Sequence, residues 1–189
     1  MNQLDSQPLT SQPLGSQTFT PQGHSAGGVP QPGRPWPGAS APAWRLAFIH
    51  AQWHAEIVSR AHGAFMAELA RHRIPAEAVH SWQVPGAFEL PLHARKLAET
   101  GRFDAIVACA LVVDGGIYRH EFVAQAVING LMRVQLDSGV PVISAVLTPK
   151  SFHEHDQHRR FFAEHFVVKG TEAAQACLQT LESLQRLAA

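Results

Sequence analysis

Between Leu111 and Val123 the chain reads LVVDGGIYRHEFV, an apolar run, two glycines, then an arginine and a histidine in what the pattern predicts as the first turn of a helix. Arg119 and His120 there oppose the positive end of the helix dipole, which costs about 0.3–1 kcal/mol per cation. A nearby anion reverses that cost. Asp114, Gly115 and Gly116 lead into the same helix start. They resemble a phosphate cradle in mechanism but lack the Walker lysine and a complete GxGxxG, so nucleotide binding is not implied. A guanidinium grips phosphate through two parallel hydrogen bonds, whereas an imidazole exchanges protons near neutral pH. Consecutive helical residues point about 100° apart, so the pair is expected to divide these jobs: phosphate pairing for Arg119 and proton transfer for His120.

Other candidate groups fall just after other apolar runs. Gln52, Trp53 and His54 follow the run LAFI. Trp53 is either a flat surface for a heteroaromatic ring or a cap over the core, and position alone favours the cap. In the turn Pro85 to Glu89, Gly86 lets a backbone come close. The amides of Ala87, Phe88 and Glu89 open a helix without internal partners and can meet hydroxyls or an anion. Glu89 suits a ligand contact or, equally, the dipole of its own helix. His153, His155 and His158 raise the possibility of a metal site through an H-x-H spacing. Lys150, Gln157, Arg159 and Arg160 make the same stretch read as a solvated polar loop, and no Cys, carboxylate or HExxH set completes a tetrahedron, so no metal is expected. There is no GxSxG elbow and no cysteine placed for nucleophilic attack.

The elements that must carry these groups alternate between short apolar runs and segments of helical period, the pattern of strands joined by crossover helices. Strands are expected at Leu46 to Ile49, Ala78 to Val84, Ala105 to Val113 and Val140 to Leu147, with the third central because it is apolar on both faces. The second is weaker, and Pro141 is tolerated near the start of the fourth. Helices are expected with Val58, Ala61, Phe65 and Leu69 on one face, then Leu90, Ala94 and Leu97, then Val123, Val127, Leu131 and Val134 closed by Gly139. The last helix is placed after Gly170, burying Ala174, Cys177, Leu181 and Leu184. The fold class is α/β: a three-layer sandwich with a four-stranded parallel sheet flanked by helices. In such sheets ligands gather beyond the carboxyl ends of the strands, where all the candidate loops fall.

Composition narrows the function. Fifteen basic and fifteen acidic side chains cancel, so no broad field attracts nucleic acid or an anionic membrane. Cys109 and Cys177 sit inside apolar periodic segments, as small core residues of a protein from a reducing compartment. No run approaches the roughly 20 apolar residues of a spanning helix, and no signal segment is visible. A cytoplasmic protein is expected. Residues 1–43, rich in Gln, Ser, Gly and Pro with SQPL repeated at Ser6 and Ser11, read as a disordered tail. The domain is expected over 44–189.

Four motifs then stand in order: VPGAFELP at Val84 to Pro91, DGGIYRHEFV at Asp114 to Val123, GVPVISAVLT at Gly139 to Thr148, and VKG at Val168 to Gly170. With them the chain resembles the 6,7-dimethyl-8-ribityllumazine synthases from about Trp44 to Leu184. QWH together with GGIYRH looks like the second bacterial type. The resemblance implies a flavodoxin-like fold, no cofactor, and a homo-oligomer built from pentamers, a decamer rather than a capsid. It implies condensation of 5-amino-6-(D-ribitylamino)uracil with 3,4-dihydroxy-2-butanone 4-phosphate. The substrate's own amine attacks the ketone, so the missing enzyme nucleophile is not a difficulty.

Carried over by position, Trp53 would stack on the pyrimidine, and Ala87, Phe88 and Glu89 would hold the ribityl chain and ring. Leu111, Val112 and Val113 would offer backbone contacts, while Gly116 and Ile117 would cradle phosphate. Ser144 and His158 match positions that the family contributes from the neighbouring subunit, and Lys169 matches a lysine near the site. The family's usual catalytic histidine and late-loop arginine meet Arg119 and His158 here in an ungapped alignment, so the cation types are exchanged. A one-residue gap would restore His120, and a one-residue shift would bring in Arg159. Because Phe122, Val123 and Gly130 fit without a gap, Arg119 is favoured at the active position, stabilising the departing phosphate. Two other readings compete: a flavin- or lumazine-binding protein with little turnover on the same scaffold, and a metal hydrolase using His153 to His158.

Overall fold

The computed structural model describes residues 44–114, 119–150, 152, 153 and 155–189. The expected tail at 1–43 and the expected cradle at Gly116 and Ile117 lie outside the described residues. Four parallel strands, β1 (Leu46–Ala51), β2 (Val79–Val84), β3 (Ala105–Leu111) and β4 (Val142–Leu147), form one sheet in the order β2-β1-β3-β4. This is the flavodoxin-like order, in which the chain reverses its direction of winding between β1 and β3.

The sheet order explains the burial. β1 and β3 are flanked by strands on both sides and by helices on both faces, and every residue of each is buried. β2 and β4 are edges and are only partly buried, which is why β2 reads weakly in sequence. Side chains alternate between the two faces along each strand. Phe48, Val107 and Cys109 pack with α1 (Ala55–Arg71) and α4 (Asp156–Ala188). Ala47, Ile49, Ile106 and Ala108 pack with α2 (Leu90–Glu99) and α3 (His120–Ser138). The predicted stripes account for this: Val58, Ala61, Phe65 and Leu69 of α1 are all buried, as are Val127, Leu131 and Val134 of α3. Gly139 takes the left-handed conformation (φ 71°) and donates its N–H to the Gln135 carbonyl, closing α3 as expected.

Several boundaries differ from expectation. β1 runs on to Ala51, β3 stops at Leu111, and β4 starts at Val142, after Pro141, whose carbonyl still accepts from the Ile106 N–H. The larger correction is α4, which begins at Asp156 rather than after Gly170. Gly170 lies mid-helix because α4 crosses α1 there: a methyl group at 170 would overlap the Ala61 carbonyl oxygen. The glycine that suggested a boundary is a packing contact.

Candidate active site

Because all four strands are parallel and in register, their carboxyl ends share one edge of the sheet: Ala51 is level with Val84, and Leu111 with Leu147. Two main-chain hydrogen bonds carry that alignment into the loops. Gln52 N–H donates to the Val84 carbonyl (2.8 Å) and Val112 N–H to the Leu147 carbonyl (2.9 Å). The β1–α1, β2–α2 and β3–α3 connections, which hold Trp53, Ala87 to Glu89 and Leu111 to Val113, therefore leave from one edge.

Trp53 is 68% exposed, so the cap-over-core reading is wrong. Its indole instead stands over Gly86, where a Cβ would sit 3.6 Å from two of its ring carbons. The same Cβ would approach the Glu89 carboxylate to 3.2 Å. Gly86 is extended, so its value is closeness rather than backbone freedom. Its N–H donates to Glu89 Oε2 at 2.8 Å. One oxygen of Glu89 thus serves its own helix start, the blander of its two expected roles, while Phe88 projects into solvent and Ala87 is buried. Ala87–Glu89 form a single tight turn before α2.

At the β3–α3 connection Leu111 and Val112 are buried, and the Val112 N–H is already committed to β4. His120 is the first helical residue of α3, in the first turn as expected, while Arg119 is the residue just before the helix rather than within its first turn. Arg119 is exposed, and its guanidinium stands 4.8 Å from the centre of the Phe122 ring, a cation–π contact that partly offsets its position at the dipole's positive end. The His120 side chain is largely buried, with Nδ1 3.7 Å from Glu121 Oε2. The two side chains thus differ in environment, consistent with a division of labour.

The β4–α4 segment lies against the β1–α1 loop of the same chain. Arg159 donates to Glu56 Oε1 at 2.8 Å, and the His54 ring meets Phe152 edge-on with centroids 5.2 Å apart. The rings of His153, His155 and His158 cluster, with centroids 4.6 to 5.8 Å apart. However, His158 Nδ1 accepts the His153 N–H and His155 Nδ1 accepts the His158 N–H. Those two Nδ1 atoms are thus engaged by main-chain donors rather than turned toward a common centre. Among the described residues no group of three His, Cys, Asp or Glu side chains is arranged to hold a metal ion. Burial and the neighbouring imidazoles of His155 and His153 lower the pKa of His158.

Two expected site residues are not brought to this edge within the chain. Ser144 is exposed on edge strand β4, three residues short of its carboxyl end, and Lys169 lies well along α4, paired with Glu172 at 2.6 Å. Two features escaped the sequence reading, the Glu56–Arg159 pair and the His54–Phe152 contact. Both join residues about a hundred positions apart, and no local spacing signals them.

Comparison with known proteins accords with this geometry. Residues 43–185 match the family model described as 6,7-dimethyl-8-ribityllumazine synthase. A 6,7-dimethyl-8-ribityllumazine synthase of Rhodococcus erythropolis is 59% identical over 143 residues, covering 76% of this chain and 92% of that protein. Proteins named 6,7-dimethyl-8-ribityllumazine synthase 2 are similar in Bradyrhizobium diazoefficiens (56% identical, 76% of this chain and 86% of that one) and Pseudomonas syringae pv. tomato (53%, 78% and 87%). With the sheet order, the loop cluster and these relatives in agreement, the chain belongs to the 6,7-dimethyl-8-ribityllumazine synthase family.

Proposed function

We propose that this protein condenses 5-amino-6-(D-ribitylamino)uracil with 3,4-dihydroxy-2-butanone 4-phosphate, releasing phosphate and water and forming 6,7-dimethyl-8-ribityllumazine, a transferase step of riboflavin biosynthesis. The observation that carries this reading is family membership across 43–185. The site is compatible with it. The substrate amine is the nucleophile, so the protein supplies orientation, a phosphate grip and proton transfer. Neither thiol could substitute: burial pushes the Cys109 pKa far up and raises that of Cys177 to about 12.

In this reading the open indole of Trp53 stacks on the pyrimidine, and Ala87, Phe88 and Glu89 hold the ring and ribityl chain. The Leu111–Val113 backbone completes that side, and Gly116 and Ile117 cradle the phosphate. Arg119, exposed at the mouth of α3, stabilises the departing phosphate. His120, sheltered beside it, moves protons. Ser144 and His158 serve the site of a neighbouring subunit in a homo-oligomer built from pentamers, a decamer, and Lys169 lies near the site. Support for association comes from apolar side chains left uncovered on α3 and α2, namely Phe122, Ile128, Met132, Leu136 and Leu92. The location is cytoplasmic, and residues 1–43 are an extension outside the catalytic domain. Among the described residues no helix is long and apolar enough to cross a membrane.

The deciding experiment mixes both substrates with the protein and follows lumazine absorbance in single turnovers, for the unaltered chain and for Arg119→Ala and His120→Ala. Product should form well above the uncatalysed rate. Each substitution should slow turnover by about a hundredfold, the usual scale for one positioned electrostatic or proton-transfer group. Tight lumazine binding without turnover in the unaltered chain would instead favour the binding protein. If only His120→Ala slowed the step after phosphate binding, Arg119 would lose its assigned place.

A further inference from the structure

Trp53 is mostly solvent-exposed, yet the residues on either side of it are fixed. On one side the Gln52 N–H is tied to the Val84 carbonyl. On the other, His54 adopts the left-handed conformation (φ 56°, ψ 40°), one of only two described non-glycine residues with positive φ. Left-handed backbone is uncommon for any residue that carries a Cβ, although histidine enters it more readily than most, and at this position neighbouring contacts hold it in place. Here His54 is the residue before α1, and its carbonyl accepts from both Ile57 and Val58 N–H at 2.9 Å. Its side chain makes no capping bond. The half-buried ring instead sits edge-on to Phe152, which is itself buried against Phe162.

We propose that His54 is a positioning residue: held in a left-handed turn by its contact with Phe152, it fixes the direction in which Trp53 projects over Gly86. The turn reverses the backbone immediately after Trp53, so a change in φ at 54 re-aims the indole. The Phe152 contact ties this turn to the β4–α4 segment, and the Glu56–Arg159 pair makes a second tie in the first turn of α1. A flat surface prepared in this way meets an aromatic ligand without the cost of ordering a loop on binding.

The proposal rests on the reading that Trp53 stacks on the pyrimidine, and two readouts on the assembled full-length protein separate the two. The first is steady-state kinetics with each substrate varied in turn. Relative to the unaltered protein, His54→Ala should raise KM for the ribitylaminouracil about tenfold, equivalent to part of one base–aromatic stack, with the KM for the ketone phosphate and kcat at saturation each within about twofold. His54→Asn, which accepts the left-handed region but cannot reach Phe152, should fall between the two. The second is the fluorine NMR signal of 5-fluorotryptophan at 53, assigned with Trp53→Phe. It should shift or broaden in His54→Ala while the signals of Trp44 and Trp82 stay in place. An unmoved Trp53 signal, or both KM values rising together, overturns the proposal. A moved signal with Trp53→Ala leaving the pyrimidine KM unchanged would instead overturn the stacking reading and leave the positioning role intact.

Discussion

His50 is an imidazole near the carboxyl end of an otherwise apolar strand, only 7% exposed, with a buried Nδ1 that has no hydrogen-bond partner. Its ring stacks 6.1 Å from that of His62 on α1, and His62 Nε2 meets Ser81 Oγ at 2.8 Å on β2. Burial lowers the pKa of both, and the nearby His62 lowers that of His50 further. Since their folded pKa values lie below the unfolded value of about 6.5, the unfolded chain takes up protons first as the pH falls. Both imidazoles are therefore tolerated above about pH 6.5 and destabilise the fold progressively below it. We expect the urea midpoint to drop between about pH 7.5 and pH 5.5, and His50→Leu, of similar size, to flatten the slope. His158, with its pKa also lowered, supplies part of what remains. An equal slope in His50→Leu would show that the pair does not govern acid sensitivity. In sequence the apolar run ends before His50, and nothing local shows that the strand continues through it, because its partner His62 is brought to it only by the fold.

At the scale of elements, the α1–α4 crossing explains both a success and an error of sequence reading. The stripe of α1 is visible because apolar residues recur every three or four positions, a local signal. The start of α4 is not, because its first turns are rich in His, Arg and Phe and a glycine interrupts the pattern. What keeps Gly170 inside the helix is a contact more than a hundred residues away in sequence, a Cβ there standing 2.8 Å from the Ala61 Cα. Gly63 on α1 is the control, since a Cβ there meets nothing within 4 Å. Gly63→Ala should stabilise by about 0.5–1 kcal/mol through helix propensity. Gly170→Ala should gain the same propensity yet lose about 1–3 kcal/mol overall, because α4 must move away from α1. Chemical denaturation at matched protein concentration would read both, and a stabilising Gly170→Ala would mean the crossing can widen at little cost.

For the molecule as a whole, the edge of the sheet that carries the candidate loops was legible from the alternation of strands and helices, because parallel topology alone puts those loops together. What the single chain does not do is bring Ser144 to that edge: three residues from the end of β4 place it roughly 10 Å back along the strand, on an exposed face. If Ser144 serves a neighbour's site, two different defects should repair each other. Trp53→Ala would remove the proposed stacking surface from a chain's own site, and Ser144→Trp would block the neighbouring one. Each protein alone should have little activity while keeping the native solution mass. In an equimolar mixture, unfolded and reassembled together, half of the subunits carry an intact Trp53 and half an intact Ser144. About a quarter of the interfaces then pair the two intact halves, and about a quarter of the unaltered activity should return. A site contained within one chain gives no recovery, because every chain in the mixture is defective. Full activity in Ser144→Trp by itself would remove the residue from any site and leave the interface reading without its most direct support.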